Sequence, residues 1–158
     1  MADKREEILQ RLQTILETVP GVTTCVRNRG LRKNEQRPAI VLVDGDEATV
    51  TTGGDVNSRA RPVPKVMRMR PEIYYLPKEA RPTGDLPDGM NVGEDLNNRR
   101  MQILWALMND PELQTLYGSN GGISYQSMTT DLHSGAAMSG EMRIDIQINY
   151  VLDVINGA

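Results

Sequence analysis

Phenylalanine is absent from this chain, and its 158 residues include only one tryptophan, one histidine and one cysteine. A single cysteine forms no intrachain disulfide, and nothing else in the sequence points to an oxidising compartment. Cys25 lies in Val22-Thr23-Thr24-Cys25-Val26, which reads as a strand with a small apolar side chain at its centre. With one histidine, His133, no two-histidine metal site can be drawn, and no zinc signature exists. A Cys–His nucleophilic pair would have to join a strand to a turn. A Ser–His–acid triad drawn from Ser124, Ser127 or Ser134 lacks the sharp strand-to-helix turn that exposes such a serine. Long apolar runs are missing too: none approaches the ~18–20 residues that span a bilayer. The N-terminus is charged from Asp3 onward and has no apolar stretch of the secretory kind. The expectation is a protein of the reducing cytoplasm, without metal or cofactor and without a catalytic site.

The residues that are present suit one domain, 1–158, large enough to bury a core without staples. Nine methionines take part of the space that phenylalanine would fill. Net charge is −3, which argues against general nucleic-acid binding through one basic surface. Its distribution is uneven. Residues 1–26 carry three basic and four acidic groups, net −1; 27–70 carry ten and five, net +5; 71–158 carry five and twelve, net −7. Such a division either neutralises itself within one subunit or lets the basic face of one copy meet the acidic face of the next.

Periodicity sets the elements. Ile8, Leu9, Leu12, Ile15, Leu16 and Val19 recur at helical spacing, with Asp3 as cap, Glu6 three residues on, and Pro20-Gly21 as stop. Residues 22–28 form a strand and Arg29 to Arg37 a basic turn. Ala39-Ile40-Val41-Leu42-Val43 is an apolar strand covered on both faces, ending at Asp44-Gly45. Residues 48–64 read as a long loop, with a short strand near Thr49 to Thr52. Residues 65–76 alternate, with Met67, Met69, Ile73 and Tyr75 on one side. Pro71 interrupts them and favours a bend or an edge. A second loop, 77–90, precedes a helix over 92–109 capped by Asn91, with Leu96, Ile103, Leu104, Leu107 and Met108 buried. Asp110-Pro111 starts a short helix. A closing hairpin pairs Ile123–Leu132 with a strand whose Met142, Ile144, Ile146, Ile148, Tyr150 and Leu152 point inward. The fold class is α+β: a mostly antiparallel sheet with two main helices on one face, in the order α-β-β-β-α-β-β.

Three clusters could carry function. Asp44-Gly45-Asp46-Glu47 is the densest group of carboxylates, but lacks the spacing of a calcium loop and reads as a turn. Gly53-Gly54-Asp55 lacks the Gly-Lys-Ser/Thr ending of a phosphate loop. Arg59, Arg61, Lys65, Arg68 and Arg70 are five basic residues with no acid between them. They make a solvated face, a protein contact or a phosphate contact; no aromatic residue in the run serves to stack bases. Tyr74 and Tyr75, beside these arginines, are candidate contact anchors. Trp105, within the second helix, belongs either to the core or to an interface.

The order of these segments resembles a known family. Arg5-Glu6-Glu7-Ile8-Leu9-Gln10-Arg11-Leu12 is followed by Pro20-Gly21-Val22 and Arg27-Asn28. Then come Pro38-Ala39-Ile40-Val41-Leu42-Val43-Asp44-Gly45-Asp46-Glu47, Arg68-Met69-Arg70-Pro71-Glu72-Ile73, a helix, Tyr125 to Leu132, and Gly140-Glu141-Met142. Over nearly its whole length the chain is similar to the small neck and tail-completion proteins of tailed bacteriophages, tail terminators in particular. The resemblance implies a virion structural protein, assembled in the host cytoplasm into a homo-oligomeric, typically hexameric, ring. Such a ring caps the head-proximal end of the tail tube, stops its growth and receives the head. Its partners would be the tail tube protein and the head–tail connector, with DNA only in transit and no membrane. Loops 48–64 and 77–90 would reach neighbouring rings. The alternatives are a head-completion or connector protein, a small metal-dependent hydrolase around Asp44 and Asp46, and a ligand-binding module.

Overall fold

In a computed structural model of the chain, described here for residues 2–50, 65–133 and 139–152, the first helical stripe forms α1 (Lys4–Glu17). Asp3 caps it by accepting the Arg5 N–H at 2.9 Å. Glu6 does not close the capping box expected from its spacing; its carboxylate goes to Arg27 instead. Ile8, Leu9, Leu12, Ile15 and Leu16 are buried, all on the stripe read from the sequence.

Next come β1 (Thr24–Arg27), β2 (Ala39–Thr49) and β3 (Lys65–Leu76). Asn91 caps α2 (Val92–Met108), and Asp110 caps α3 (Pro111–Tyr117). β4 (Gly122–His133) and β5 (Ser139–Leu152) close the chain as a hairpin. The architecture is α+β, in the expected order with the short third helix added. The five strands stand side by side as β1-β2-β3-β5-β4. The sheet is mixed, because β1 runs parallel to β2 while every other pair is antiparallel.

The parallel pair explains why Ala39–Leu42 is apolar throughout. Residues 28–38 must carry the chain from the end of β1 back to the start of β2, and they do so without a helix. Leu31 of this return loop and Val41 and Val43 of β2 line one hollow on the face away from the helices, where Val41 is 8% exposed. Glu35 pins the loop, accepting from the Arg29 guanidinium at 2.6 and 2.8 Å and from the Arg32 N–H at 2.8 Å.

Two sequence expectations change at one point. β2 does not end at Asp44-Gly45 but continues to Thr49, and Pro71 lies in the middle strand rather than at an edge. A β-bulge reconciles both. Pairing runs to Val43↔Glu72 and resumes one residue out of step at Asp46↔Arg70. Pro71 faces the bulge, where its missing N–H costs no ladder bond. Gly45 has φ +70°, and a Cβ there would lie 1.9 Å from the Arg70 carbonyl oxygen, so only glycine fits.

The core lies between the three helices and one face of the sheet. Ile40, Leu42, Met69, Ile73, Tyr75, Met142, Ile144, Ile146 and Ile148 meet Leu12, Leu16, Leu96, Ile103, Leu107 and Leu113. Each such side chain contributes about 1.5–3 kcal/mol on burial. Residues 77–90 fold on themselves around a small second cluster of Ala80, Leu86 and Val92. Bonds between the Arg81 N–H and Asp85 carbonyl and between the Leu86 N–H and Met90 carbonyl close that loop. Of the other long loop, 48–50 lie in or beside β2, and 51–64 fall outside the described residues.

Candidate functional site

Strand alternation decides where the predicted contact residues go. On β3, Met69, Ile73 and Tyr75 face the helices, so Arg68, Arg70, Glu72 and Tyr74 face the other way. On β5, burial of 142, 144, 146, 148 and 150 turns Arg143, Asp145, Gln147 and Asn149 to that same side. Among the described residues no helix packs on this second face, which is largely polar along β3 and β5.

Its central feature is Arg143. The guanidinium pairs closely with Glu72 on the neighbouring strand, donates from Nε to Asp145 at 2.8 Å, and lies 5.9 Å from the Tyr74 ring centre. The Ser127 hydroxyl donates to Asp145 at 2.9 Å from the far side. Hydrogen bonding to Asp145, then the nearby Glu72 and Tyr74, hold Arg143 above its ordinary pKa. Around this network lies a shallow hollow of about 670 Å³ reaching Asp46, Arg70 and Gln147. A second hollow of about 510 Å³ adjoins it, sharing Val43 and Glu72, and includes Arg29, Tyr74 and Glu141.

The seven residues singled out from sequence therefore do not form one patch. Arg68, Arg70 and Tyr74 share the bare face. Lys65 begins β3, half-buried, with the alternation of the core side. Arg59 and Arg61 lie outside the described residues. Tyr75 belongs to the core: it is 0% exposed, donates its hydroxyl to Asp95 at 2.7 Å and accepts from Arg99 Nε at 3.2 Å. Burial, then the Asp95 bond, pushes its pKa upward. Trp105 is not in the core but 69% exposed.

The other candidates disperse into structural pairs. Arg27 binds Asp44 at 2.7 and 2.8 Å and Glu6 at 2.8 and 2.9 Å, tying α1 to β1 and β2. Those bonds hold both carboxylates below their usual range. Glu47 accepts from the Tyr150 hydroxyl at 2.5 Å and neighbours Arg5. Only Asp46 of this cluster lines the bare face. Among the described residues no group of three His, Cys, Asp or Glu is placed to hold a metal ion. Burial pushes the Cys25 thiol up to about 11, so it stays protonated at neutral pH. His133 closes β4, and Ser134 is outside the described residues. Among the described residues no helix is long and apolar enough to cross a membrane.

Sequence reasoning placed Arg143, Asp145, Gln147 and Asn149 outward but missed their partners on β3. Which strand lies beside β5 is a non-local fact, and Glu72 meets Asp145 only through the β3–β5 register. No protein-family model and no curated protein matches the chain.

Proposed function

We propose that this chain is a virion structural protein, a tail terminator that assembles as a homo-oligomeric ring on the head-proximal end of a tail tube. The observation that carries the reading is the bare sheet face. At its centre the charges are matched to one another: Arg143 between Glu72, Asp145 and Tyr74. Polar surfaces of this kind suit contacts between folded proteins, where charge fixes register more than affinity. Cys25 is engaged in packing, and Asp44 in an ion pair with Arg27.

The test is native mass of the purified chain, followed by negative-stain imaging with and without tail tubes. Rings, or caps confined to tube ends, are expected. A chain that stays monomeric at all concentrations and leaves tube ends bare overturns the proposal. Binding to the portal side of heads instead of to tubes replaces it with the connector alternative.

A further inference from the structure

The large hydrophobic side chains that stand exposed among the described residues are Met101, Trp105, Tyr125 and Leu132. They fall into two places of opposite character. Met101 (58% exposed) and Trp105 (69%) lie on the outer side of α2, away from Leu96, Ile103 and Leu107. They border a hollow of about 490 Å³ with Val19, Pro20 and Ala106. This is a helix surface with apolar groups and, among the described residues, no strand against it. Tyr125 (40%) and Leu132 (44%) lie on β4, the edge strand. Tyr125 stands opposite Ile146 and Leu132 opposite Gly140, which places both on the helix-bearing side of the sheet. Met128, opposite Ile144, is half-buried between them. Ile123 and Met128 on the inner strip of β4 pack against the core, while Tyr125 and Leu132 on the same strip stand exposed among the described residues.

We infer that these two surfaces are partners: the outer face of α2 in one copy covers the inner strip of β4 in the next. The contact repeats between copies the helix-on-sheet packing that forms the core within one. Composition agrees. The hollow beside Trp105 is lined by Thr18, Val19, Pro20, Met101, Gln102 and Ala106 without a charge, and β4 carries a single ionised group, Asp131. Interface centres are depleted of charge and enriched in Trp, Tyr and Met in this way. The two patches are different surfaces, so the contact is heterologous: each copy offers both halves, and the chain of contacts closes into a ring when the rotation fits. The four side chains expose together roughly 400 Å² of apolar surface, against ~1,200–2,000 Å² for a stable interface. One contact alone is therefore weak, and assembly depends on concentration or on a platform that gathers copies. The inference rests on the self-assembly reading and names the surfaces it uses.

Trp105 is the chain's one tryptophan, so it reports its own burial. As concentration rises and native mass grows, its emission should move to shorter wavelength. Leu132→Asp and Tyr125→Lys, both far from Trp105 in sequence and already exposed, should each raise the apparent dissociation constant at least about tenfold and suppress the shift, with unchanged thermal unfolding. Mixing Met101→Cys with Tyr125→Cys protein should give a mixed disulfide dimer under mild oxidation, since Cys25 stays a protonated thiol. Dimers of Met101→Cys with itself instead would replace the contact by a symmetric α2–α2 one and overturn the inference. Growth of native mass with unchanged Trp105 emission and unaffected β4 variants overturns the contact but leaves self-assembly standing. No growth of mass, alone or on tubes, overturns both.

Discussion

On one face of the sheet Ile40, Leu42, Ile73, Ile144 and Ile148 are fully buried beneath the helices; on the other, Glu72, Tyr74, Arg143 and Asp145, each half-buried, pair among themselves. The residues of the two sets alternate along the same strands, one position apart. A β-strand sends successive side chains to opposite faces, so one backbone carries a folding surface and, on the proposed reading, a contact surface at once. Stability and association should therefore separate cleanly by residue parity along β3 and β5.

The largest effect should come from the covered face. Ile144 sits opposite both Ile73 on β3 and Met128 on β4, at 0% exposure. Ile144→Ala removes buried methyl and methylene groups and leaves a space that well-packed neighbours fill only in part. The expected loss is about 2–5 kcal/mol, read from urea unfolding, a large share of the ~5–15 kcal/mol available to a domain. A loss below about 1 kcal/mol would break the assignment of that face as the core.

A smaller effect tests what joins the helices to the sheet. Arg27 clamps Glu6 of α1 and Asp44 of β2 through four hydrogen bonds. Arg27→Met should cost about 2 kcal/mol at neutral pH, since charged hydrogen bonds are lost and Asp44 is left half-buried without its partner. The pH dependence has a definite sign. Both carboxylates have folded pKa values below their unfolded ones, through the Arg27 bonds first. The folded state then binds fewer protons than the unfolded state. The stabilisation is full above the unfolded values near ~4 and is lost as pH falls through the lower folded ones. The gap in unfolding free energy between wild type and Arg27→Met should narrow steadily as pH falls from about 5 toward 2. A gap constant over that range would show that Arg27 acts by packing alone.

How much of this could be read in advance follows from the range of each interaction. The α1 stripe, the Asn91 and Asp110 caps and the inward set 142–150 are local patterns, set by 3.6- or 2-residue periods, and the sequence displayed them directly. The bulge did not show in that way. Gly45 read as a turn and Pro71 as a bend or an edge, because each residue is a breaker alone. Only their meeting across two strands lets β2 and β3 continue past them. Tyr75 looked like a contact residue beside Tyr74, and alternation hides it: one faces the bare side and the other Asp95. Trp105 could have been placed by the same rule. It is two residues from both Ile103 and Leu107, which puts it on the opposite side of α2. The Arg143 network depends on strand order, which no local window contains.

The bare face supplies the smallest stability effect and the sharpest separation. Arg143 bonds Glu72 and Asp145 with its own side chain 42% exposed, and ion pairs with an exposed member contribute ~0–1 kcal/mol. Arg143→Ala should therefore change the unfolding free energy by less than about 1 kcal/mol, in contrast to Ile144→Ala one position away. Its effect on association should be larger. Without the guanidinium, Glu72 and Asp145, paired in register on adjacent strands, become two like charges with no cation between them. A surface whose charges cancel becomes one that repels an acidic neighbour, and it loses the planar group held against Tyr74. On the proposed reading, capping of tail tubes by Arg143→Ala protein should fall while its melting curve stays that of the wild type. Arg143→Lys keeps the charge but not the fork that bonds both carboxylates, and should recover part of the capping. Full capping by the alanine variant would remove the bare face from the contact and leave α2 and β4 as the surfaces through which copies meet.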